Sequence, residues 1–186
     1  MASNLSFYLG AASNREVKMH RAINSFLSQG IGELVVVSDG CKKTSEIVRR
    51  YDKPNIKLVE IEKQPLFSGN VRQVGINKAQ YDIICYLDTD DEFRPNHLQS
   101  IIDQMSNNDW VYYDDYLGGE LRVSRIERKY IGTSCIAHKK ELPVVWGDGY
   151  GHDFFFIQEL VKLNRKYSKI NNTGYQCNHI PNVIDI

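Results

Sequence analysis

Ile83-Ile84-Cys85-Tyr86-Leu87-Asp88-Thr89-Asp90-Asp91-Glu92 is the stretch that decides the fold. The run Ile83 to Leu87 is apolar throughout and does not alternate, so it predicts a strand with both faces covered, as in a parallel sheet between helices. The strand leads directly into Asp88, Asp90, Asp91 and Glu92. Carboxylates this close repel and raise one another's pKa unless a cation neutralises them. A hard divalent ion, Mg²⁺ or Mn²⁺, is the simplest solution. A solvated acidic loop is the bland alternative. The position favours the ion, because open parallel sheets bind ligands beyond the carboxyl ends of their strands.

The same alternation extends on both sides. Leu5 to Leu9 reads as a first strand, and Leu34 to Val37 is a second apolar run that ends at Ser38-Asp39-Gly40. Ile56 to Ile61 alternates like a third strand. Between these runs, Met19, Ala22, Ile23, Phe26 and Leu27 share one helical face before Gly30, Lys43 to Tyr51 reads as a helix ahead of Pro54, and Gly69 to Ala79 as another. The first half is therefore β-α-β-α-β-α-β, which places Asp39 and Asp88 on one edge of a sheet. Beyond it, Leu98, Ile101, Ile102 and Met105 mark a helix, and two β-rich runs around Gly118-Gly119 mark a hairpin. Cys135 to Ala137 reads as a strand, Phe154 to Leu163 as a late helix and Ser168 to Ile180 as a closing segment.

A chain of 186 residues supports one domain with a substantial core, and 42% hydrophobic with 25% charged residues is ordinary for a globular protein. The 23 basic and 23 acidic residues balance, which gives no general argument for nucleic acid or an anionic membrane as partner. Cys41, Cys85, Cys135 and Cys177 form no Cys-x-x-Cys pair, so reduced thiols and a cytoplasmic location are expected. No basic region followed by a long apolar run opens the chain, and no stretch approaches a membrane span, so neither a secretory signal nor an integral membrane segment is expected.

Other patterns narrow the chemistry. A calcium EF-hand loop needs Gly at its sixth position, where counting from Asp88 gives Phe93. Gly69-Asn70-Val71-Arg72 opens a helix, a natural phosphate site to which Arg72 adds a bidentate charge, without the spacing of a P-loop. Trp146 lies in the glycine-rich loop Trp146 to Gly151, where it could stack an acceptor sugar or anchor the loop. The basic stretch Arg122 to Lys129 reads as a solvated face.

Five motifs in order resemble glycosyltransferase family 2, the inverting enzymes with a GT-A fold. They are Ser13-Asn14-Arg15, Arg21 to Gly30, the Val35 to Val48 segment with Asp39, Ser68 to Ala79, and Tyr81 to Leu98 with its Asp-x-Asp-Asp. The resemblance implies an α/β nucleotide-diphospho-sugar transferase fold, Rossmann-like, as a single domain over 1–186. Its central sheet is mostly parallel and flanked by helices, with residues 1–95 holding the donor and 96–186 the acceptor and base. It implies that Ala11, Ser13, Asp39, Arg72, Asp88 and Asp91 contact a nucleoside-diphosphate sugar, foremost a UDP-sugar. Asp88, Asp90 and His179 would hold Mn²⁺ or Mg²⁺, and Asp153 would be the general base. Ser38 stands where the family has an Asp, and His152 where it has an acidic residue before the base. A hydrogen-bonded core histidine is the plain alternative for His179.

Two rivals stay open. A nucleotidyltransferase or pyrophosphorylase would release pyrophosphate, and a nucleotide-sugar-binding module of a larger transferase would bind donor without turnover. The expected partners are the donor and a glycan or other hydroxyl acceptor, with further domains or an oligomer possible and no nucleic acid.

Overall fold

The computed structural model describes residues 5–10, 16–65 and 68–178. In chain order these form β1 (Leu5–Gly10), α1 (Glu16–Leu27), β2 (Glu33–Asp39), α2 (Lys42–Arg49), β3 (Ile56–Ile61), α3 (Gly69–Lys78), β4 (Ile83–Asp88) and β5 (Glu92–Phe93). There follow α4 (His97–Met105), β6 (Trp110–Leu117), β7 (Glu120–Arg122), β8 (Ile136–Lys139), α5 (His152–Lys162) and β9 (Tyr167–Cys177). The nine strands make one sheet in the order β3-β2-β1-β4-β8-β6-β9-β5, with β7 paired to β6.

The apolar runs behave as expected. Every residue of β2 is buried, and its side chains alternate between two cores. Leu34 and Val36 face α1, α2 and α4, while Val35 and Val37 face α3 and α5. The sheet is parallel over β3-β2-β1-β4. Beyond β4 it is mixed. β8 runs antiparallel to β4 and β6, and β9 runs parallel to β6. The hairpin at Gly118-Gly119 has both glycines at positive φ, 61° and 88°, as a two-residue turn between twisted strands requires. The closing segment is strand β9. It ends against the two-residue β5, a strand too short to show any pattern.

This topology builds the functional edge. Gly10 pairs with Val37 on one side and Asp88 on the other. The carboxyl ends of β2 and β4 therefore flank the end of β1, about 10 Å apart at the usual strand spacing. β6 runs in the same direction as β4, so Asp115 near its end lies on that edge as well.

A buried polar chain fastens β4 to the second core. Trp146 Nε1 donates to the Tyr86 hydroxyl at 3.0 Å, and Tyr86 meets His138 Nε2 at 2.6 Å. His138 Nδ1 faces the Lys139 carbonyl at 2.9 Å, so the proton is on Nδ1 and Nε2 accepts from Tyr86. Burial pushes the His138 pKa down to about 4, and that of the equally buried His97 to about 3. In the unfolded chain both titrate near 6.5. As pH falls, the unfolded state therefore takes up these protons first. Stability is full above pH 6.5, declines as pH falls towards 4, and stops declining from His138 below that. The expected loss is up to about 3 kcal/mol for His138 and about 5 kcal/mol for His97. Urea titrations at pH 7.5 and 4.5 should show most of this loss, and His138→Gln should remove the His138 share of it while that of His97 remains. A variant with unchanged pH dependence would contradict the assignment.

Candidate active site

Arg72 is the centre of the site. Its helix begins at Gly69, packed so closely on the loop before α5 that a Cβ would stand 1.9 Å from the Gly147 carbonyl oxygen. No side chain fits there, and this close approach sets the depth at which Arg72 enters. Arg72 is only 7% exposed. Its guanidinium donates to Asp88 Oδ1 at 3.2 Å and to the Ser68 hydroxyl, and lies 5.2 Å from the centre of the Trp146 ring. It also lies 2.7 Å from His152 Nε2. A guanidinium can only donate, so His152 accepts on Nε2 and holds its proton on Nδ1, facing the Gly149 carbonyl at 2.9 Å. One arginine thus joins the end of β4 to the start of α5.

The four acidic positions play different parts. Asp88 and Asp90 are partly exposed at the loop, and the Asp90 carbonyl accepts from Arg21 at 2.7 Å. Asp91 turns inward. Its carboxylate accepts from the Tyr175 hydroxyl at 2.9 Å and from the Asn178 N–H at 2.7 Å, which ties β9 to the acidic loop. Burial, and next the charge of Asp88, push its pKa up to about 7. The Tyr175 hydroxyl in turn accepts the Asp88 N–H at 3.1 Å. Asn178 also meets Glu92 at 3.3 Å. At the neighbouring strand end, Asp39 is nearly buried, and its oxygens are held by Lys63 Nζ and the Gln64 N–H, each at 2.6 Å. Ala11, Ser13 and His179 lie outside the described residues. Among the described residues, no three His, Cys, Asp or Glu side chains form a metal-holding group.

Asp153 lies in the first turn of α5, partly exposed. Its Oδ1 accepts the Phe154 N–H at 2.8 Å, while Oδ2 faces Gly132, where a Cβ would come within 3.3 Å. The carboxylate lines a cavity of about 420 Å³ together with His152, Tyr150, Arg122, Arg128 and Lys129. Part of the basic stretch is therefore a cavity wall as well as an outer face. Trp146 takes the anchoring role. It is 2% exposed and stacks on Phe156 at 4.1 Å with the planes 4° apart, so an acceptor sugar cannot reach its face.

The contact of His152 with Arg72 is not read from local pattern, although a hydrogen-bond acceptor stands at that position whether the residue is acidic or histidine. Lys63, Tyr175 and Asn178 give no local signal. All four cysteines are free thiols. No helix of the described residues is long and apolar enough to cross a membrane.

Helices on both faces of this sheet, with carboxylates gathered beyond β2 and β4, make up a GT-A fold. The S. aureus TarS 1–349 structure in complex with UDP-GlcNAc shares this fold, with a TM-score of 0.79 at 18% identity over 98% of this chain and 60% of that one. Residues 11–163 match the model described as glycosyl transferase family 2, and the chain belongs to that family. The succinoglycan biosynthesis protein ExoO of Rhizobium meliloti (strain 1021) is 33% identical over 100 residues, covering 52% of this chain and 28% of that protein. The uncharacterized glycosyltransferase YwdF of Bacillus subtilis (strain 168) is 29% identical over 84 residues, covering 44% of this chain and 30% of that protein. The matched stretches span less than a third of both relatives.

Proposed function

We propose that this chain moves a sugar from a nucleoside-diphosphate sugar, a UDP-sugar, to an acceptor hydroxyl with inversion at the anomeric carbon. The observation that carries the reading is the Arg72 bridge. A buried cation touches both Asp88, at the donor edge, and His152, the residue before Asp153. In this reading residues 1–95 form the donor half and residues 96–186 the acceptor half. TarS has been crystallised with UDP-GlcNAc on the same fold, which supports a UDP-sugar donor.

In this reading a hard divalent cation sits at the acidic loop, its ligand set completed from outside the described residues. Asp88 and Asp90 are partly exposed carboxylates, and oxygen ligands of this kind suit such an ion. Asp88 and Asp90 would hold Mn²⁺ or Mg²⁺, with His179 as the ligand implied by family resemblance. Such an ion supplies charge neutralisation at the diphosphate. Arg72 adds its own positive charge to the leaving group, and Asp153 takes the acceptor proton. The acceptor oxygen forms a bond to the anomeric carbon as the bond to the diphosphate oxygen breaks, and the nucleoside diphosphate leaves with that electron pair.

The test is product analysis on a panel of nucleotide-sugars with Mn²⁺ or Mg²⁺. Release of nucleoside diphosphate with an inverted glycoside supports the reading. Pyrophosphate release would assign a nucleotidyltransferase instead. Donor binding with no turnover on any acceptor would assign a binding module within a longer protein, a reading favoured by the short spans shared with the relatives.

A further inference from the structure

Arg128 and Lys129 enter the cavity around Asp153 from a tight turn, in which the Tyr130 N–H donates to the Glu127 carbonyl at 3.0 Å. Lys129 sits at φ 76°, a left-handed conformation that glycine adopts with less strain. Strain retained at a cavity wall is a signature of function. The third cation of the wall, Arg122, is committed to Asp115, whereas no carboxylate of the described residues forms an ion pair with Arg128 or Lys129. The Arg128 guanidinium lies 5.7 Å from the Tyr150 ring centre and 3.7 Å from where a Cβ on Gly151 would stand, two residues before Asp153. Among the described residues, Asp153 is the only carboxylate lining the cavity.

We propose that the acceptor carries an anionic group, a phosphate or a carboxylate, beside the hydroxyl that receives the sugar, and that Arg128 and Lys129 hold that group. Arg128 presents a planar fork suited to paired oxygens, and Lys129 adds a point charge. Tyr150, 78% exposed, offers a face for the acceptor's ring or carbon chain. The inference rests on the transferase reading, in which this cavity is the acceptor site.

Calorimetric titration of the chain with glycerol 3-phosphate, glycerate and glycerol, each with and without saturating UDP, tests it. The anionic probes should bind at least about tenfold more tightly than glycerol, and Arg128→Gln should weaken them about ten- to a hundredfold. Lys129→Gly should weaken them similarly while leaving thermal stability no lower, because glycine accepts this φ. UDP affinity should be unchanged in both variants. Preference for glycerol 3-phosphate over glycerate names phosphate as the group, and the reverse names carboxylate. Equal affinity for glycerol, anion binding unaffected by the variants, or a loss of UDP affinity in them would each overturn the proposal. Absent UDP binding with intact, Arg128-dependent anion binding would remove the transferase reading and leave the anion site standing.

Discussion

Asp153→Asn is expected to lower kcat by about 10² to 10⁴, the usual contribution of a positioned general base. An asparagine carbonyl can still accept the Phe154 N–H that Asp153 Oδ1 accepts now, so the start of α5 should hold. Donor binding should also survive, because the contact from this helix to Arg72 is made by His152. The signature is a fall in kcat and kcat/KM together, with UDP affinity within about twofold of wild type. The amide keeps the shape and removes only the ability to take a proton, which separates chemistry from folding. Turnover within about threefold of wild type would sink the assignment of Asp153 as base. A matched loss of UDP affinity would instead place the residue in donor binding.

The largest stability effect is expected at Asp115, which no sequence pattern singles out. Its side chain is completely buried, and it accepts from Arg122 Nε at 2.7 Å, from a second Arg122 nitrogen, and from Ser134 Oγ at 3.0 Å. Two thiols, Cys135 and Cys177, lie 3.3 and 3.4 Å from the same oxygen. The hydrogen bond to Asp115 raises the Arg122 pKa above its ordinary value. Removing one partner of a buried pair costs about 3 to 5 kcal/mol. Arg122 is 39% exposed and can turn partly to water, which places Asp115→Ala near the lower figure. That corresponds to a fall of about 6 to 12 °C in Tm for a chain of this size. Asp115→Asn, which keeps the shape and one acceptor, should lose less. A loss below about 1 kcal/mol in the alanine variant would mean that water replaces the carboxylate at little cost.

Both variants probe groups with different visibility in the sequence. Asp88, Asp39 and Arg72 are legible because each follows or opens an element whose period is local, and the βα alternation then assigns them to one edge. The inward turn of Asp91 is not legible. Four neighbouring carboxylates look alike in sequence, and the one that turns in is selected by Tyr175 and Asn178, 84 and 87 residues further on. Trp146 is equally ambiguous in sequence. Its loop suits either stacking on a sugar or anchoring, and only the parallel contact with Phe156 decides for the anchor.

Local periodicity accounts for the succession of strands and helices through β4, the two-faced burial of the central strands, and the collection of charged groups at strand ends. These follow from side-chain periodicity along short segments, which the chain carries wherever it goes. The strand order beyond β4, the burial of Asp115, and the meeting of Arg72 with His152 across 80 residues emerge only on packing. Such contacts depend on which hydrogen-bonding groups remain unpaired when the two cores close on the sheet. A buried polar group must find a partner or bear the full cost of leaving water, and that partner is set by the packed geometry rather than by its neighbours in sequence.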